Sequence, residues 1–196
     1  MNNEYLQTNS SKYEYLLLVA EISAALWVHI VAFETTLRNF LHKSLSKAYG
    51  EKRWWLVHDF LTRKDEQEVI RVQKRLERRK KHISAHLLIS NLSLSFWIEL
   101  LSTRYHETIW LKIVGYFPVD PGRRSEFHRK AREIRNLRNS IAHHGPIMRR
   151  NLIRDHEYLH ELTATLDPDL ADAVQKRSRV LDLLLNARLV GSGGGI

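Results

Sequence analysis

The chain has 196 residues, 43% of them hydrophobic, with no cysteine and 31 Lys and Arg against 22 Asp and Glu, for a formal net charge of +9. That length suits one well-buried domain rather than two, and the missing cysteines exclude disulfides and thiolate metal sites. The excess positive charge suits a polyanionic partner, because Lys and Arg that neutralise phosphates release condensed counterions.

Only four prolines and eight glycines occur, and apolar residues recur at spacings of three and four rather than two, which predicts an all-α fold. Residues 1–190 read as a single helical domain and 191–196, GSGGGI, as a flexible Gly-rich tail. The N-terminus lacks a basic segment followed by an apolar stretch and a small-residue cleavage site, so a cytoplasmic location is expected.

Ser10 and Ser11 offer N-caps to a long helical region running to about Tyr49 and stopped by Gly50. Within it, residues 16–33 are apolar enough to imitate a membrane span. Glu21 and His29 interrupt them, so a buried amphipathic helix is the expected form and no membrane partner is assigned. Thr62 with Asp65 and Glu66 predicts a second helix start, whose far end is the basic run RLERRKKH at 75–82. Ser90, Asn91 and Ser93 precede another apolar stripe containing Phe96, Trp97, Leu100, Leu101, Ile109, Trp110, Ile113 and Val114. Trp54, Trp55, Trp97 and Trp110 fall at core spacing and are read as packing residues.

After Pro118, Pro121 and Gly122, a helix beginning at Ser125 is predicted to end at Gly145 and Pro146. Helices over 151–164 and 168–189 complete the pattern. The 125–145 helix concentrates the chemistry, in EIRNLRNSIAHHGPIMRRN at 133–151. Ile134, Leu137 and Ile141 share one face, while Arg135, Asn139 and His143 stack at spacings of four on another. Arg138 lies to one side of that row. Histidine can donate or accept a proton near neutral pH and arginine can neutralise a phosphorane, so the set suffices for RNA cleavage without a metal or other cofactor. Spacing alone favours a plainer form, a helix end whose histidines serve only as caps and whose arginines face solvent. Eleven histidines invite a metal site, yet no HExxH or carboxylate cluster accompanies them.

Residues 138–143, Arg-Asn-Ser-Ile-Ala-His, resemble the motif of the HEPN superfamily, in which an arginine and a polar residue precede a histidine by a few positions. The chain also resembles the Abi-like, abortive-infection proteins of that superfamily. The resemblance rests on FETTLRNFL (33–41), YGEKRWW (49–55), ISNLSLSFWIELLS (89–102), IW and YFP within 109–118, and IRNLRNSIAHHGPI (134–147). It implies a HEPN-like helical bundle forming a twofold homodimer with a composite site, and metal-independent endoribonuclease activity in antiphage defence or as a toxin held by a protein or noncoding-RNA antitoxin. Arg138 and His143 would be the catalytic pair, with Asn139 orienting the histidine or the phosphate.

His144, outside the strict match, stands as either a second contact or a packing residue. Glu34 and Arg38, one turn apart, are either an ion pair or a border of the same site. Arg132, Arg135, Arg149 and Arg150 are the expected RNA-binding residues, since residues 121–154 hold ten Lys and Arg against two acids. A noncatalytic RNA-binding or RNA-regulated dimer fits the same surface, as does an assembly subunit.

Overall fold

The computed structural model describes residues 2–57, 61–80 and 83–193, with side chains for 12–187 of these. Every regular element among them is helical, and no strand occurs among the described residues. α1 (Asn2–Tyr49) is one uninterrupted helix of 48 residues, about 72 Å long at the usual rise. Ser10 and Ser11 therefore lie inside it rather than capping it. Gly50 ends it as expected, at φ 68°, a left-handed position that glycine adopts without penalty.

α1 is the central strut and touches α4 (Leu94–Glu99), α5 (Leu111–Ile113), α6 (Arg124–Ala142), α7 (Leu152–Leu166), α8 (Pro168–Gln175) and α9 (Val180–Gly193). Its inner stripe of Ile22, Leu26, Ile30, Phe33, Leu37, Leu41 and Leu45 is fully buried. Against it pack Ile134 and Leu137 of α6, Leu159 of α7 and the cluster of Trp54, Phe96 and Trp97. The four tryptophans assigned to packing are all at most 8% exposed.

Residues 16–33 are thus core on one face only. Ile22, Leu26, Ile30 and Phe33 face inward, whereas Leu16, Leu17, Val28 and Val31 are exposed. By length and composition α1 is the one described helix able to cross a membrane, but its inner face already holds the bundle together.

Capping residues fix several boundaries. Thr62 accepts the Asp65 N–H at the start of α2 (Arg63–Arg78), and Ser84 and Ser93 do the same for α3 (Ala85–Ile89) and α4. The expected helical run to residue 82 is cut short: α2 stops at Arg78, and Lys80 turns left-handed at φ 51°, while Lys81 and His82 lie outside the described residues.

The apolar stripe beyond Ser93 is not one helix. α4 stops at Glu99 and the chain then passes through a 3-10 turn, a π turn at His106–Trp110 and the single turn α5. The Tyr105 hydroxyl explains the detour: it donates to Asp65 at 2.6 Å and accepts the Thr62 N–H at 2.8 Å. This tether to the start of α2 outweighs local helical propensity. The same stripe residues are buried nonetheless, with Val114 partly so.

The expected helix over 168–189 is likewise two. α8 and α9 are separated at Lys176–Arg179, where Ser178 is held by two imidazoles described below. α9 extends to Gly193, three residues into the expected tail, and the remainder lies outside the described residues.

Candidate functional site

α6 turns Phe127, Ala131, Ile134 and Leu137 into the core. Helical periodicity places Arg138 at the edge of that face and Asn139 about 100° further round. Arg138 is consequently half-buried, while Asn139 is exposed. The Arg138 guanidinium carbon lies 5.8 Å from the ring centroid of Trp27 on α1, within cation–π range. Its Nε is sealed from solvent and has no acceptor. An unmet buried N–H costs about 1–3 kcal/mol, so this placement is held against a local penalty.

The helix ends one residue earlier than glycine and proline suggest. His143 is the C-cap, and His144 adopts the left-handed conformation at φ 53°. The His144 N–H donates to the Ile141 carbonyl at 3.1 Å and the Gly145 N–H to the Ser140 carbonyl at 2.7 Å. This bond pair usually places glycine at the left-handed position; here a histidine occupies it. Glycine instead stands one residue later, where a Cβ would lie a tight 3.3 Å from the Ser140 carbonyl oxygen. His143 and His144 are both exposed at this end, and His144 lines a groove with Trp27. Among the described residues, no hydrogen bond joins Arg138 to His143 within one chain.

The remaining predicted residues divide. Arg132 and Arg149 are exposed and make no ion pair among the described residues. Arg135 is drawn inward, with 20% of its side chain exposed, 3.7 Å from Glu99 of α4. Arg150 donates to Asp155 at 2.7 Å and to Glu133 at 3.1 Å, and Asp155 is fully buried. That cation neutralises an interior carboxylate, so the free basic rim of the site narrows to Arg132 and Arg149. The surface cations Arg129 and Lys130 pair with Glu126 and Glu161. Glu34 and Arg38 are half-buried on the same side of α1 as Trp27 by periodicity, and they form no ion pair with each other or with Arg138.

Two groups escaped the sequence reading. Trp27 is 36% exposed and is the partner of Arg138; its position off the core stripe of α1 was the available signal. The second group lies between α1, α7 and the α8–α9 junction. His29 Nε2 is 2.9 Å and His156 Nε2 is 3.1 Å from the Ser178 hydroxyl, and the two rings meet edge to face at 4.6 Å. Nothing in the spacing of these residues marks them as neighbours.

Among the described residues no three His, Asp or Glu side chains converge as metal ligands. Comparison with family models, characterised proteins and solved structures returns no match.

Proposed function

We propose that the chain is a metal-independent endoribonuclease of the HEPN type, close to the Abi-like group, acting in the cytoplasm as an abortive-infection effector or toxin. The observation that carries this reading is the placement of Arg138, Asn139 and His143 at an accessible helix end beside the unpaired cations Arg132 and Arg149, with Arg138 retained in an unfavourable polar setting.

In this mechanism one His143 removes the proton from an RNA 2′-OH, whose oxygen attacks the adjacent phosphorus. Arg138 neutralises the developing phosphorane charge, and a second imidazole protonates the departing 5′-oxygen. The products are a 2′,3′-cyclic phosphate and a 5′-OH. Two histidines are needed for the two proton transfers, and two copies related by a twofold axis provide them. The uncovered apolar strip of α1, with Tyr13, Leu17, Val28 and Val31 exposed, is a surface suited to that pairing.

The test is RNA cleavage in EDTA by wild type, Arg138→Ala and His143→Ala. Loss of at least about a hundredfold is expected in each variant, and undiminished cleavage by His143→Ala would falsify the assignment. Mixed dimers with one intact motif should lose most activity; full retention means that one chain suffices.

One observation favours a second reading, a noncatalytic RNA-binding dimer. Within a chain the Arg138 side chain turns to Trp27 and not to His143. Salt-sensitive RNA binding without any cleavage is the result that selects it.

A further inference from the structure

Trp27 stands apart from the other tryptophans because it is 36% exposed, and it lines a groove of about 610 Å³ between the N-terminal half of α1 and the end of α6. We propose that this groove is a nucleobase subsite, in which Trp27 stacks a base of single-stranded nucleic acid while Arg138 holds the neighbouring phosphate. The identity of that phosphate as the one attacked rests on the ribonuclease reading; the stacking site does not.

The walls suit a flat, apolar ring with polar edges. Val19, Ala20, Ala24 and Ile141 contribute aliphatic surface, and the small alanines leave the indole accessible. His144 and the backbone at Gly145 provide hydrogen-bonding groups at the α6 end. The left-handed conformation at His144 places a polar residue there, where the usual glycine has no side chain.

Charge selects the occupant. The Arg138 guanidinium lies over one face of the indole, 5.8 Å from its centroid, and leaves the opposite face for a base, the pairing used by proteins that track single strands: stacking for the base, a cation for the backbone. Unpaired Arg132 and Arg149 extend the positive potential on α6 and just beyond its end. A second copy of this chain carries the same net charge of +9, whereas a nucleic-acid strand is a polyanion, so net charge favours the strand. The uncovered strip used for pairing adjoins this groove, with Tyr13 and Val31 turned about 40° and Val28 about 100° from Trp27.

Two uncleavable probes of equal charge test this: a single-stranded deoxyribonucleotide decamer and a decamer of abasic deoxyribose phosphates. Wild type should bind the base-bearing strand about fivefold to a hundredfold more tightly, the span of one stacked base. Trp27→Ala should bring the ratio near one while leaving the salt dependence unchanged, and Trp27→Phe should keep most of the preference. The base-bearing strand should quench a component of the tryptophan emission in wild type that Trp27→Phe lacks. An unchanged ratio in Trp27→Ala overturns the subsite, and should that variant not fold, unaltered quenching in Trp27→Phe does so instead. Altered dimerisation of Trp27→Ala with an unchanged ratio assigns the groove to a contact between copies, which also overturns it. RNA cleavage by preparations that do not discriminate between the decamers leaves the nuclease reading standing and sinks only the subsite. Discrimination without cleavage does the reverse.

Discussion

The linkage of Ser178 to two buried histidines predicts a loss of stability in mild acid that can be assigned to one side chain. Ser178 Oγ has one proton to donate and two lone pairs. It faces His29 Nε2, His156 Nε2 and the Val180 N–H at 3.4 Å, so all contacts are satisfied when one imidazole nitrogen accepts and the other donates. The accepting ring must then be neutral, and burial keeps the donating ring neutral as well, in the opposite tautomer. His29 is 4% exposed, and its pKa is lowered from 6.5 to about 4 by burial first, then by the proximity of His156 and His160. His156 is lowered in the same direction, again chiefly by burial. Glu21, Arg177 and Arg179 line the adjoining cleft, so one acid and two cations also face the junction.

The unfolded chain takes up the His29 proton near pH 6.5, whereas the fold resists until about pH 4. Stability from this residue is therefore complete above pH 6.5 and declines as the pH falls to about 4, below which it changes no further. At 1.36 kcal/mol per pH unit the loss is about 3 kcal/mol, a large share of the stability of an ordinary domain. Urea unfolding of wild type and His29→Gln from pH 8 to pH 4 measures it, because glutamine retains a hydrogen-bonding group and does not titrate. The wild-type curve should fall by about 3 kcal/mol more than that of the variant. Parallel curves would refute the buried neutral network.

Three further outcomes follow from the motif region. Arg138→Met removes the unmet Nε–H and should leave stability unchanged or raise it by about 1 kcal/mol, read as a thermal midpoint higher by about 2–4 °C, while RNA cleavage is lost; a marked fall in the midpoint contradicts the burial argument. His144→Gly relieves a left-handed side-chain residue and should stabilise by about 1 kcal/mol in chemical unfolding; cleavage measured on the same protein shows whether the imidazole also serves the site. Arg150→Met leaves buried Asp155 with only the longer contact to Arg154 at 3.6 Å and should destabilise by about 3 kcal/mol, with little change in the salt dependence of RNA binding, whereas Arg149→Met should reverse that pattern.

Much of the helical plan was legible because its signals are local. Thr62 and Ser93 cap the helices they precede, Gly50 ends α1, and the α6 apolar residues Ile134 and Leu137 are buried as their spacing requires. The motif helix could likewise be located, and its histidines do face solvent. What could not be read depends on partners distant in sequence. Ser178 interrupts the last helical stretch because His29, 149 residues away, meets it across the bundle. Tyr105 breaks the central stripe through a bond to Asp65, 40 residues earlier. Arg150 reads as one more surface cation until Asp155 is seen to be buried beneath it. Trp27 could be placed off the core stripe by counting, but only tertiary packing supplies Arg138 as its neighbour.

These long-range ties also explain how an exposed helix end can carry local strain. The left-handed His144 and the unpaired Arg138 Nε occur within seven residues of each other, and neither is favourable in isolation. Flanking them are tightly constrained segments. Leu137 is fully buried on one side; on the other, Ile147 is 1% exposed and Arg150 is bonded to both Asp155 and the Glu133 side chain of α6. The Arg150 guanidinium also donates to the Glu133 carbonyl at 3.3 Å, fastening the chain after the turn back onto the helix before it. The turn from His143 to Pro146 is thereby closed by its surroundings, which removes much of the conformational freedom that its strained residues could otherwise recover. A histidine can be kept where glycine would be easier, and it remains among the residues lining the groove that begins at Trp27.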